Sequence, residues 1–282
     1  MKVDVLSFAQ DNARSKPAED FGSITRFKNT WAFAVADGVS RTGGYYSQLG
    51  KPSSSCIVAT AFCHTSAPAL ATGKSLHEAF AFANEKINGI NEAAGFTPET
   101  VDYLDRDYLC CTAVAGALAE EYPDKFIYGY IGDCGILVYD ADYMPVFLSE
   151  NNVGILEGFR EGSRFSDKNE RRIFWRKKLR NRSERFMTYG ALTGEPAALA
   201  QVTYGYVDLK AGDTVLLFSD GIYPFIFDQV FRVTVTDLLR KSVVEAEIWG
   251  TLESCIKAAT VYLQYEGAKN LDDDKTMIAF RV

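Results

Sequence analysis

The sequence has only two histidines, His64 and His77, a count that excludes a histidine-rich metal site. It has no apolar run long enough to cross a bilayer. Its start, Met1-Lys2-Val3-Asp4-Val5, lacks the basic region, apolar run and small-residue cleavage site of a signal peptide. A cytoplasmic protein with no membrane partner is therefore expected. Positive charge is in deficit, with 30 Lys+Arg against 37 Asp+Glu and a formal net charge of −7, which argues against nucleic acid as a partner. The six cysteines, Cys56, Cys63, Cys110, Cys111, Cys134 and Cys255, mostly sit inside apolar runs rather than in paired loop positions. Free, partly buried thiols are the expectation. No repeat, low-complexity tract or clear linker interrupts the chain, so a single domain over 1–282 is expected.

What the chain does contain is a set of short apolar runs separated by turn residues. The run 31–36, Trp-Ala-Phe-Ala-Val-Ala, ends in Asp37-Gly38 and predicts a buried strand. Helical spacing follows over 56–62 and 76–90. Runs at 112–119, 126–131 and 136–139, and again at 202–209 and 214–219, are joined by short polar turns and predict antiparallel hairpins. Helices are expected near 236–241 and 245–262, and a last strand over 276–282. Strands and helices grouped in blocks favour an α+β layered fold over βαβ alternation. The stretch 160–185 is basic inside an acidic protein, which suggests a solvated helix face or a local site for an acidic or phosphorylated partner.

Three predicted strands meet an aspartate at one end: 31–36 runs into Asp37, 214–219 runs into Asp220, and the last strand follows Asp272-Asp273-Asp274. Antiparallel pairing could bring all three to one sheet edge. An Asp-Gly pair alone is ordinary turn chemistry, but its recurrence at strand ends points to converging carboxylates. Such a group needs compensating positive charge, which a hard divalent cation with oxygen ligands supplies.

With those residues in view, the chain resembles the protein phosphatase 2C family, specifically its compact bacterial-type members. The family's motifs stand in order as Glu19-Asp20, Val35-Ala36-Asp37-Gly38-Val39, Cys110-Cys111-Thr112-Ala113, Gly132-Asp133-Cys134, Leu216-Leu217-Phe218-Ser219-Asp220-Gly221 and Asp273-Asp274-Lys275-Thr276. The resemblance implies a four-layer α-β-β-α sandwich, two antiparallel sheets flanked by helices, with two or three Mg²⁺ or Mn²⁺ ions at one end. It implies that Asp37 bridges two metals, with the Gly38 carbonyl, Asp220 and Asp273 as further direct ligands. Glu19 and Asp20 would act through metal-bound water, Asp133 would help hold a third ion, and Arg14 would anchor phosphate. The implied reaction is hydrolysis of phosphoserine or phosphothreonine on a phosphorylated protein substrate by a metal-bridging water.

The sequence departs from the family pattern in places. Arg14 stands five positions before Glu19, with Pro17 between, and Lys16 is an alternative anchor. Val39-Ser40-Arg41-Thr42-Gly43 offers no histidine after the Asp-Gly turn, so no general acid of that kind is expected. Specificity would lie in a flap-like segment at about 152–194, which contains much of the basic stretch. Competing readings are a haloacid-dehalogenase-like enzyme using Asp140-Ala141-Asp142, and a non-catalytic relative that binds phosphoproteins. No cysteine has an arginine six positions later, and no P-loop is present.

Overall fold

The computed structural model describes residues 3, 5–13, 17–39, 53–153, 165, 167–182, 188–229, 231–233, 235, 253, 256–257, 259–261, 263–264 and 271–282. Among them are two five-stranded antiparallel sheets. One has the order β1-β10-β9-β6-β7, formed by Val5–Asp11, Lys275–Arg281, Thr214–Phe218, Gly135–Tyr139 and Pro145–Leu148. The other has the order β2-β3-β4-β5-β8, formed by Phe21–Phe27, Thr30–Gly38, Cys111–Leu118, Lys125–Ile131 and Thr203–Asp208.

The period of two along each central strand separates three packed layers of side chains. On β3, Ala32, Ala34 and Ala36 face helices, while Phe33 and Val35 face the other sheet. On β4 the helix-facing set is Cys111, Ala113, Ala115 and Ala117. Small residues on this face let α1 (Ser54–Ala71) lie close against the sheet, with α2 (Leu76–Ala93) packed beside it. Between the sheets, Phe33 stacks on Phe280 with ring centroids 4.4 Å apart, and Phe126 closes on both rings. On the far side, Leu216, Phe218, Met277 and Ala279 pack against Phe225, Phe231 and Ile256. The order is helix, sheet, sheet, helix, and the α+β sandwich is observed.

Both helices begin on serine caps. The Ser53 hydroxyl accepts from the Cys56 N–H, and Ser75 forms a reciprocal capping box with Glu78. The first helix extends well beyond the expected 56–62. The expected helix at 236–241 lies outside the described residues; within 245–262 the described residues 253, 256–257 and 259–261 are helical.

Two expected hairpins are crossovers instead. The turn Gly132-Asp133-Cys134 leads from β5 in one sheet to β6 in the other, and the segment 209–213 leads from β8 to β9 across the same gap. A short turn between two strands serves side-by-side pairing and face-to-face stacking equally, and here the sandwich core decides. The Asp140-Ala141-Asp142 sequence is a turn between β6 and β7, in which Asp140 Oδ1 accepts from the Asp142 and Met144 N–H groups at 2.9 Å. That settles Asp140 as a turn residue.

The basic stretch contributes α3 (Lys168–Phe174), continued by a π-helical turn Trp175–Leu179. Its end is fastened to the loop before β4. Arg180 donates two hydrogen bonds to the Asp107 carboxylate at 2.7 and 2.9 Å, and Arg176 Nε lies 3.2 Å from the same carboxylate. Arg180 and Asp107 are almost wholly buried. Burial raises the Asp107 carboxyl, but the Arg180 and Arg176 guanidinium charges prevail and hold it below the usual carboxylate range.

Removing one partner of a buried pair leaves the other charge uncompensated. Asp107→Ala is expected to lower unfolding free energy by about 3–5 kcal/mol in urea denaturation. Because the folded-state value is depressed, the wild-type advantage is fully present above about pH 4 and disappears as pH falls through the folded value.

Candidate metal centre

Asp37 lies near the C-terminal end of β3, opposite Thr112 of β4. Gly38 follows because nothing larger fits: a Cβ there would lie 2.6 Å from the Ser55 backbone and 2.8 Å from the Glu19 carbonyl oxygen. Its N–H donates to that carbonyl at 3.1 Å. The close approach brings the Glu19-Asp20 segment and the first turn of α1 against the strand end that carries Asp37.

Asp133 comes from the crossover between the sheets. Gly132 before it has φ +82, and a Cβ at Gly132 would collide with the Thr112 side chain. Beneath it the Cys134 thiol meets the Thr112 hydroxyl at 3.5 Å. Asp220 comes from the end of β9. Register explains why it meets Asp133: Gly135 pairs with Phe218, so the residues before one and after the other emerge at the same end of the sheet.

The result is a group in which Asp37, Asp133 and Asp220 each offer a carboxylate oxygen, all within 4.8 Å of one another. Two of the three come from one sheet's end and the crossover, and the third from the other sheet. Glu19 and Asp20 are buried beside them. Both Asp20 carboxylate oxygens are shut off from solvent. Burial pushes the Asp20 carboxyl up to about 7; the Asp37 carboxyl and Ser219 hydroxyl beside it pull the other way, and the Asp274 and Asp220 charges add to the rise. An all-oxygen donor set with a buried carboxylate facing like charge fits a hard divalent cation.

The acidic triplet before β10 divides its work. Asp274 is buried, and its two oxygens accept from the Ala13 and Glu19 N–H groups, each at 2.7 Å. It thereby ties Ala13 and Glu19 to the opposite end of the chain. Asp273 is half-buried, and its Oδ1 accepts from the Asp274 N–H at 2.9 Å. It stands at the same strand start but outside the three-carboxylate group. Lys275 folds back so that its ammonium donates to the carbonyls of Leu271 and Asp273 at 2.7 and 2.9 Å. Ser219 holds β9 to β10, its N–H donating to the Thr276 carbonyl and its hydroxyl accepting from the Thr276 N–H.

The model of the family described as Protein phosphatase 2C matches residues 10–255. The chain belongs to the protein phosphatase 2C family. Membership makes it a metal-dependent protein phosphatase of the serine/threonine class. No curated protein matches the sequence significantly. Solved structures share the fold at low identity. The S. agalactiae serine/threonine phosphatase has a TM-score of 0.61 at 14% identity, covering 98% of each chain. The PPM Ser-Thr phosphatase MsPP from Mycobacterium smegmatis, in complex with cacodylate, has a TM-score of 0.59 at 16% identity over 100% of both chains. The catalytic domain of PstP in complex with 2 manganese ions has a TM-score of 0.56 at 17% identity, covering 98% of each chain.

Arg14, Lys16 and the 40–52 segment after the Asp37-Gly38 turn lie outside the described residues. His64 and His77 are exposed on α1 and α2, with His64 edge-on to Phe21. Sequence reasoning missed the clamp by Asp274 and the bracing by Ser219. The triple aspartate was the available signal, since three adjacent carboxylates seldom share one role.

A Cβ on Gly221 would run into the Asp274 carbonyl oxygen. Gly221→Ala must therefore push the 273–274 backbone from Asp220, and a loss of about 1–3 kcal/mol in chemical denaturation is expected, as for other overpacked sites. The same variant should need more Mn²⁺ for half-maximal activity.

Proposed function

We propose that the Asp37, Asp133 and Asp220 carboxylates, with Asp273 and the Gly38 carbonyl, hold two or three Mg²⁺ or Mn²⁺ ions, and that this centre hydrolyses phosphoserine and phosphothreonine in a phosphorylated protein. The observation that carries the reading is the convergence of strand-end carboxylates from both sheets within 4.8 Å. Among the structural neighbours, RsbX holds magnesium and the PstP catalytic domain holds two manganese ions. Divalent ions so held supply the charge that lowers the pKa of water to near neutrality and offsets charge on the phosphoryl oxygens.

The protein's own part is positioning. Asp37 is fixed by the β3–β4 ladder, Asp220 by the Ser219–Thr276 bracing, and Asp133 by the tight turn at Gly132. Glu19 and Asp20, buried and clamped through Asp274, line the inner wall and orient water there. Arg14 is assigned to phosphate, with Lys16 as the alternative. The basic segment at about 152–194 is assigned to substrate selection. The five described cysteines are buried and form no disulfide with one another, which supports a reducing, cytoplasmic setting.

Hydrolysis of a small aryl phosphate in Mn²⁺, in Mg²⁺ and with chelator tests this directly. Asp37→Asn and Asp220→Asn should each lower kcat/KM by on the order of 10³, about 4 kcal/mol of transition-state stabilisation. Activity in the presence of chelator, or full activity in either variant, would remove the metal-centre reading. Asp273→Asn and Asp274→Asn should differ in kind. The first should raise the Mn²⁺ concentration needed, while the second should lower thermal stability even with Mn²⁺ saturating.

A further inference from the structure

The helix of the basic stretch uses its cations in two distinct ways. The π-helical turn carries an Arg180 N–H to Trp175 carbonyl hydrogen bond of 2.9 Å, one residue longer than α-helical spacing. At that pitch Arg176 and Arg180 fall on one side of the turn, and both reach the buried Asp107 carboxylate. Arg176 also donates to the Tyr103 and Leu104 carbonyls. These two arginines fasten the segment.

Lys168, Lys177, Lys178 and Arg182 are left exposed, and among the described residues none of them has a carboxylate within ion-pair distance. Glu170 is the only acidic residue in 168–182. Residues 168–182 thus present a concentration of positive charge on a net-acidic protein, and that segment is fastened by a buried ion pair rather than carried on a loose tail.

Its position links it to the metal centre. The chain leaving Arg180 returns through a backbone bridge between Leu192 and Cys111, whose N–H and C=O groups exchange hydrogen bonds at 2.9 and 3.2 Å. Cys111 is itself paired with Gly38, next to Asp37. Arg180, at the end of the basic helix, reaches the Cys110 thiol beside the start of β4, the same strand end that pairs with Gly38.

We infer that the exposed cations of 168–182 form a docking surface for an acidic stretch flanking the phosphorylated serine or threonine of the substrate. The inference rests on the phosphatase reading and adds the class of substrate sequence. Charge complementarity of this kind raises the encounter rate and fails at high salt.

The test uses the full-length protein and three substrates: a phosphopeptide with acidic flanks, one with neutral flanks, and a small aryl phosphate. The combined variant Lys168→Glu/Lys177→Glu/Lys178→Glu should lose about tenfold or more in kcat/KM on the acidic peptide, together with its salt dependence. It should change less than twofold on the other two substrates. Equal loss on all three, or no loss on the acidic peptide, would overturn the inference.

Fluorescence anisotropy of the labelled acidic peptide in its unphosphorylated form, on Mn²⁺-loaded protein, gives a second readout that requires no turnover. Weaker binding by the charge-reversed variant supports the surface; unchanged binding, or tighter binding of an RNA oligonucleotide than of the peptide, contradicts it. If the wild-type protein binds the acidic peptide through these lysines yet hydrolyses no aryl phosphate in Mn²⁺, the active-site reading fails and the surface stands.

Discussion

Like charges brought within a few ångströms of each other set the terms of this structure. Two carboxylates no more than 4.8 Å apart, as in the Asp37 group, repel by roughly 3 kcal/mol or more at an effective dielectric constant near 20. Three such pairs, with buried Asp20 alongside, would strain a fold of ordinary marginal stability. The backbone answers part of this strain: the Asp274 carboxylate accepts two main-chain N–H groups, and Lys275 folds its ammonium against the loop that carries Asp273. The remainder calls for compensating positive charge of the kind a hard divalent cation supplies.

The sandwich makes the convergence geometrically possible. A single sheet edge delivers side chains in a row, whereas two stacked sheets enclose a mouth between their ends. Asp37 reaches that mouth from one sheet, Asp220 from the other, and Asp133 from the turn that joins them. The alanine face of β3 and β4 lets α1 settle close to the sheet, and this brings Ser55 against Gly38 and its hydroxyl to the Val39 carbonyl at 2.7 Å. Core packing and site geometry are thus one arrangement.

How much of this was legible follows from where the information lies. Central strands such as β3, β9 and β10 are buried on both faces and announce themselves as apolar runs. The strands not foreseen, β1, β2 and β7, are all sheet edges, where half-exposed side chains such as Ser23, Ile24 and Thr25 blur the alternation. Asp37, Asp133 and Asp220 were identifiable because each sits beside a glycine at a strand end or turn. That Asp133 would join the other two, with Asp273 outside the trio, depended on the crossover between sheets, which turn chemistry alone does not distinguish from a hairpin. The Asp107–Arg180 pair was invisible for a simpler reason: its partners are far apart in sequence, and each reads as an ordinary surface charge.

Calorimetric titration of Mn²⁺ into chelator-treated protein addresses the central claim without requiring a substrate. Binding of two or more ions per chain, abolished or reduced to one by Asp37→Asn with the fold intact, is the predicted outcome. Unchanged binding in that variant, or no binding by the wild-type chain, would contradict it.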